Sequence, residues 1–256
     1  MLWKTDDANL HLLASIHLLD QAGSTLYPEA EFAYSRAQRV TFEHDMTAAP
    51  DSALIENSSG NPLSGQVSDA VFRNAAIEWA NLGLAPDRLE QLQPWIVAFV
   101  IGARLGAQSG ITEAHGVDKS LWGRAAADGK TRTTLELPAE ALSTFAHAPL
   151  HEQASFLDYA TNPVSNLQDD LDLMVRSWHR HDEAAFARIC AHRLRMWPKG
   201  YEKAITGRNH IWLPGLIELV ADQVPTLVVV GALHCVGEEG LPTLLTKAGR
   251  RLSRVV

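Results

Sequence analysis

Cysteine is nearly absent. The 256 residues hold two, Cys190 and Cys235, and neither lies in a CxxC pair, which argues against a disulfide scaffold and against a cysteine-based zinc site. No stretch reaches the ~18–20 consecutive apolar residues that a bilayer-spanning helix needs. The opening MLWKTDDANL has no apolar signal core, so the chain as written reads as cytoplasmic. A periplasmic or exported protein whose leader had been removed would read the same. There is no basic block either, and the net charge of −8 argues against nucleic acid or an anionic membrane surface as a partner.

What the chain does have is apolar bulk. With 46% hydrophobic residues it can bury a large core, and its patterning suggests one domain over 1–256. LHLLASIHLL (10–19) is short, apolar and followed by turn formers, which reads as a buried strand. RVTFEHDM (39–46) and TRTTLELP (131–138) read as two further strands, and the β-branched TLVVVGALH (226–234) as a fourth. A helix is expected over 29–39, and residues 50–66, rich in Ser, Asn, Gly and Pro, read as a surface loop. Residues 67–206 are mainly helical in pattern. The helix-like GRNHIWLPGLIELVAD and EEGLPTLLTKAG then flank the last strand. The expected fold is α/β: a central mixed or mostly parallel sheet from both chain ends (1–48, 130–137 and 224–256), covered by a large helical insertion.

Two of these strands end alike. Leu12-Leu13-Ala14-Ser15-Ile16-His17 and Val229-Val230-Gly231-Ala232-Leu233-His234 both read apolar, apolar, small, small, aliphatic, histidine. In an open α/β sheet, ligands gather outside the carboxyl ends of the strands. A lone histidine there is more often a satisfied polar residue than a ligand, but two in matched contexts point to one rim. Glu43 and Glu136 end two other strand patterns. If the strands are parallel neighbours, two imidazoles and two carboxylates converge, enough for a divalent ion with an open position and a general base for water. By contrast His179 and His181, two apart in a helical pattern, cannot share a face. His44 would face away from Glu43, and Cys235 reads as a free buried thiol.

In ordered pieces, nearly the whole chain resembles the TraB/PrgY/GumN family, which includes the Tiki metalloproteases and is distantly similar to the erythromycin esterases. The pieces are Leu2-Trp3-Lys4, ASIH (14–17) for a first GxxH motif, Tyr27-Pro28, Glu43, Gln93-Pro94-Trp95, LEL (135–137), Glu152-Gln153, Trp178, Arg208-Asn209 and an intact second GxxH, GALH (231–234). Ala14 departs from the first motif's glycine, and Thr134 and Leu137 depart from the residues flanking the family's glutamate. The resemblance implies hydrolysis, with His17, Glu43, Glu136, Arg208, Asn209 and His234 around the site. The expected activity is a metal-dependent hydrolase acting on an amide bond of a peptide or a small amide or ester. His17 and His234 would hold Mn, Co or Zn with help from Glu43 or Glu136. Glu43 would serve as base, and Arg208 and Asn209 would stabilise an oxyanion or hold the carboxylates. The alternatives are a metal-independent, esterase-like hydrolase with a histidine base and a non-catalytic protein that binds a peptide signal.

Overall fold

The structure, a computed structural model, describes residues 1–49, 51–57, 60–162, 164 and 167–256. Its strands are β1 (Leu2–Thr5), β2 (Leu10–Ser15), β3 (Arg39–Phe42), β4 (Thr131–Thr134), β5 (Thr226–Gly231) and β6 (Leu252–Arg254). The helices up to the fourth strand are α1 (Pro28–Arg36), α2 (Ser52–Ile55), α3 (Asp69–Asn81), α4 (Pro86–Leu89), α5 (Pro94–Gln108) and α6 (Val117–Ala127). After it come α7 (Pro138–Ala146), α8 (Leu150–Thr161), α9 (Leu167–His179), α10 (Glu183–Met196), α11 (Pro198–Tyr201), α12 (Gly207–Ala221) and α13 (Leu241–Lys247).

One six-stranded sheet runs in the order β4-β3-β5-β2-β1-β6. The strands expected from sequence are its parallel part: β2 with β5, β5 with β3, and β3 with β4. β2 and β5 are buried at every residue, as central strands covered on both faces must be, and this is why they read as unbroken apolar runs. The mixed character comes from β1 and β6, which pair antiparallel and were not expected as strands. β1 alternates little and carries Lys4, so its pairing follows from the tight connection to β2, in which Ala8 adopts φ 56°. β6 is a short, mostly exposed edge.

The expected helical segment, 67–206, is helical from α3 through α11, interrupted by β4. The expected loop over 50–66 contains the short α2 and a turn at Leu63–Gly65. Positions 50, 58 and 59 of that loop, and 163, 165 and 166 of the helical segment, lie outside the described residues. Two apolar clusters result. One joins the sheet to α1, α6, α9, α12 and α13 through residues such as Tyr34, Leu121, Trp178, Trp212 and Leu245. The other lies among α3, α4, α5 and α8, around Trp79, Val97, Ile101 and Leu157. Among the described residues no helix is long and apolar enough to cross a membrane.

The strands stop earlier than the sequence pattern suggests. β2 ends at Ser15, β3 at Phe42, β4 at Thr134 and β5 at Gly231. His17, Glu43, Glu136 and His234 are therefore not strand residues. They stand one to three residues beyond the strand ends, where the backbone turns away and side chains no longer alternate between faces. All four strands are parallel, so these exits lie on one rim.

Leu13 is fully buried in β2, whereas Ile211 on α12 is largely exposed. Leu13→Ala should cost about 2–5 kcal/mol and Ile211→Ala no more than about 0.5 kcal/mol. Urea-denaturation midpoints of the two variants check this difference, and equal midpoints would contradict the burial pattern.

Candidate active site

The centre of the rim is an arginine. Arg208 on α12 is buried, and its guanidinium holds two carboxylates at once. Nε donates to Glu136 Oε1 and Oε2 at 3.0 and 3.1 Å, and Nη2 donates to Glu136 Oε1 and to Glu43 Oε2, the latter at 2.6 Å. Nη1 donates to the Ala204 carbonyl at 3.0 Å and faces His234 Nε2 at 3.4 Å. The ring of Trp212, one turn along, lies under the guanidinium at 4.6 Å, and its Nε1 donates to Glu136 Oε2 at 3.1 Å. Glu136 is thus surrounded by donors from α12.

Asn209 follows Arg208 on the helix and points elsewhere. Its Oδ1 accepts from His234 Nδ1 at 2.7 Å, and its Nδ2 donates to the His234 and Glu239 carbonyls at 3.2 and 2.7 Å. Successive helical residues project about 100° apart, which lets one residue serve the carboxylates and the next the histidine. The helix is fed by a π-helical turn over Glu202–Thr206, a local widening that recurs at functional sites. A methyl on Gly207 would come within 2.9 Å of the Glu202 carbonyl oxygen, so the tight junction needs glycine.

The floor is Gly231, the last residue of β5. A β-carbon placed there would lie 3.2 Å from Glu43 Oε1, 3.6 Å from His17 Nε2 and 3.7 Å from His234 Cδ2. Glu43 Oε1 also accepts the Gly231 N–H at 2.6 Å. Two histidines and a glutamate from three separate chain regions thus meet over one absent methyl. The six residues expected at the site are brought together.

The electrostatics differ at each group. Burial opposes the charge on Glu43, but Arg208, His234, His17 and the Gly231 N–H outweigh it and hold the carboxyl well below its ordinary range. Burial likewise opposes the charge on Arg208, and Glu43 and Glu136 overcome it. His234 is pushed down to about 3, first by burial and then by Arg208 and His17 against the pull of Glu43, so its ring is neutral at pH 7. His17 goes the other way: the neighbouring Asp118 carboxylate raises it to about 9 against burial, although its side chain is 54% exposed to solvent.

Several residues at this rim have no motif to announce them in the sequence. Asp118, in the first turn of α6, contacts His17 Nδ1. Trp212 is an apolar-face residue of α12 by pattern, and only its indole N–H places it on Glu136. Other singled-out residues lie apart. His179 pairs with Asp20, His44 bonds the Asp45 carbonyl, and Glu152 caps α11 through the Lys199 and Gly200 N–H groups. Burial pushes the Cys235 thiol up, so it is no ready nucleophile.

Ala14 is not where the motif comparison would put it. In the parallel ladder Ala14 stands opposite Val230 and Ser15 opposite Gly231. The methyl of Ala14 is fully buried, its carbonyl accepts from Trp178 Nε1 at 3.0 Å, and its backbone is ordinary strand. Alanine costs the site nothing there.

The donor set bears on a metal. Histidines whose Nδ1 is tied to an oxygen, leaving Nε2 to the ligand, are the arrangement that metal-bound imidazoles share. Buried Glu43, Glu136 and Asp118 against the Arg208 guanidinium leave a local excess of negative charge that a divalent ion would balance. Among the described residues no three His, Cys, Asp or Glu side chains are grouped to hold an ion as placed, and Glu43 spends one oxygen on Gly231 and the other on Arg208. Arg208 Nη1 also lies 3.4 Å from His234 Nε2, so the set as placed does not close on an ion, and the two imidazoles with Glu43 are the residues that would have to hold one.

Comparison with known proteins finds that the TraB/PrgY/gumN family model matches residues 1–254. The uncharacterized protein YbaP of Escherichia coli (strain K12) is 21% identical over 240 residues, covering 93% of this chain and 88% of that protein. No solved structure matches.

Removing the guanidinium would strand two buried carboxylates. Arg208→Met should lower stability by about 3–5 kcal/mol at neutral pH. In the wild type the lowered Glu43 pKa contributes stability above the ordinary carboxylate range, and this is lost as pH falls through the folded value. Without Arg208 the largest pull against burial is gone, and the balance moves toward the protonated form. The deficit should therefore be largest at neutral pH and shrink on acidification below about 4.5. Urea midpoints of both proteins across pH check this, and a deficit that grows toward acid would contradict it.

Proposed function

The chain belongs to the TraB/PrgY/gumN family, and from that premise we propose that it is a hydrolase cleaving an amide bond in a peptide at the rim beside Gly231. The observation that carries the reading is the convergence of His17 Nε2, His234 and Glu43 Oε1 over that glycine. Space is kept there for a reacting atom by the lack of a side chain. Around it stand a charged imidazole, a neutral imidazole and a fixed negative charge.

The roles follow from the partners. Without an ion, His17, raised to about 9 by Asp118, carries a proton on Nε2 at neutral pH and can hand it to a departing amine; ligation of an ion through Nε2 would require that proton to leave. His234, neutral and donating from Nδ1 to Asn209, keeps a lone pair on Nε2, which suits a ligand or acceptor more than a proton shuttle. Glu43 is held ionised and hydrogen-bonded on both oxygens, so its first service is fixed charge beside the reacting atom rather than proton abstraction. Arg208 and Asn209 spend their donors on the carboxylates and on His234, so both act by holding those groups in place. A divalent ion, Mn, Co or Zn, would be held by His17 and His234 with Glu43, and would supply an activated water and Lewis acidity.

A second reading, hydrolysis without metal, with the neutral His234 imidazole taking the proton of the attacking water and protonated His17 serving the leaving group, is favoured by one observation: both Glu43 oxygens are already engaged. Assays with chromogenic peptide anilides and p-nitrophenyl esters, on native and chelator-stripped protein, separate the two. Loss of turnover on stripping with rescue by Mn, Co or Zn supports the metal reading, and full turnover in verified metal-free protein supports the second. Glu43→Gln should lower turnover by orders of magnitude in either case. Wild-type protein inert to all probes, or a fully active Glu43→Gln, would contradict the hydrolytic reading.

A further inference from the structure

The segment HGVDKSLWG (115–123) matches no motif, yet it is built against the site. Asp118 is buried, with one carboxylate oxygen on His17 Nδ1. The other oxygen, Oδ1, is buried without a hydrogen-bond partner among the described residues. A buried carboxylate with an unsatisfied oxygen works against folding, so its retention points to service rather than stability.

The backbone on either side is fastened to the rim. Val117 N–H donates to the Ile16 carbonyl at 3.1 Å. A β-carbon on Gly116 would sit 2.9 Å from the His17 carbonyl carbon and closer still to its oxygen, so only glycine permits this approach. One turn past Asp118, the Trp122 ring meets Phe42 edge-on at 5.0 Å, which ties α6 to the end of β3 just before Glu43. The start of α6 is clamped between the exits of β2 and β3.

The two histidines need unequal help. His234 is 3% exposed, packed against Trp212 at 4.6 Å between ring centres and tied to Asn209. His17 lies past the end of its strand with 54% of its side chain in solvent, so packing does not select its ring orientation. We propose that Asp118 is the positioning residue for His17: by accepting the Nδ1–H it turns Nε2 over Gly231 beside Glu43, and Gly116 is the glycine that allows the contact. The kinetic consequence of this assignment rests on the hydrolytic reading.

With the chromogenic probes, Asp118→Ala should lower kcat by roughly 10–100-fold, with KM within about twofold and Tm within about 4 °C. Lys119→Ala, which removes only a surface pair with Glu113, should leave both constants unchanged. An Asp118→Ala enzyme with wild-type kcat, or one whose loss lies in KM alone, would overturn the assignment. A measurement on the wild type does not depend on the variant folding. In a ¹⁵N–¹H spectrum of the histidine rings, His17, identified by loss of its signals in His17→Gln, should show a downfield, slowly exchanging Nδ1 proton. Its absence would overturn the proposal. If the wild type turns over no probe, the hydrolytic reading fails, and the Nδ1 proton still decides the positioning.

Discussion

The rim depends on one buried guanidinium. Glu43 and Glu136 leave neighbouring strands at the same level, and two ionised carboxylates this close and this dry would repel each other and resist burial. Arg208 removes the conflict because a planar fork of donors can serve both carboxylates and a backbone carbonyl at once, which a lysine ammonium on a flexible stem does less well. Such a cluster adds little net stability, since desolvation of each ion offsets much of the attraction. What it fixes is arrangement: α12 is pinned across β3 and the exit of β4, and Glu43 is turned so that its other oxygen reaches the Gly231 amide of β5.

From that pin the remaining geometry follows by short links. Asn209, carried in by the same helical turn, fixes His234, and Trp212 closes the far side of Glu136 while packing on the His234 ring. On the opposite side the start of α6 reaches His17. The site is a ring of mutual restraints among chain segments about 25 to 190 residues apart, which makes it rigid without demanding that any one loop be rigid alone. The division between a proton-bearing His17 and a neutral His234 is a result of their surroundings: the Asp118 carboxylate raises the first, and burial lowers the second.

Much of this was legible in the sequence, for reasons that can be named. β2 and β5 announced themselves because central parallel strands are apolar throughout, and the matched strand ends brought His17 and His234 to notice. The glutamates followed from the expectation that the strands are parallel neighbours, which the pairing of β2, β5, β3 and β4 meets. Arg208 and Asn209 were reached only through family resemblance, since an arginine near a helix start is by itself a surface residue. β1 and β6 were missed because antiparallel edge strands of mixed polarity resemble loops. Asp118 was missed because a carboxylate in the first turn of a helix is ordinary there, and its contact spans a sequence separation of 101 residues. Gly231 and Ala14 looked equivalent as motif positions, and only the ladder, which offsets them by one residue, shows that the methyl is harmless at one and obstructive at the other.

That offset supplies the most direct test of the central claim, that chemistry takes place in the space over Gly231. The residue has φ −54° and ψ 141°, a conformation open to alanine, so Gly231→Ala sets a methyl against Glu43, His17 and His234 with no demand on the backbone. Turnover of the peptide anilides by Gly231→Ala, set beside its circular dichroism and Tm, is the measurement. A folded variant whose turnover is lost is the expected result. A folded variant that hydrolyses the probes at the wild-type rate would place the chemistry elsewhere.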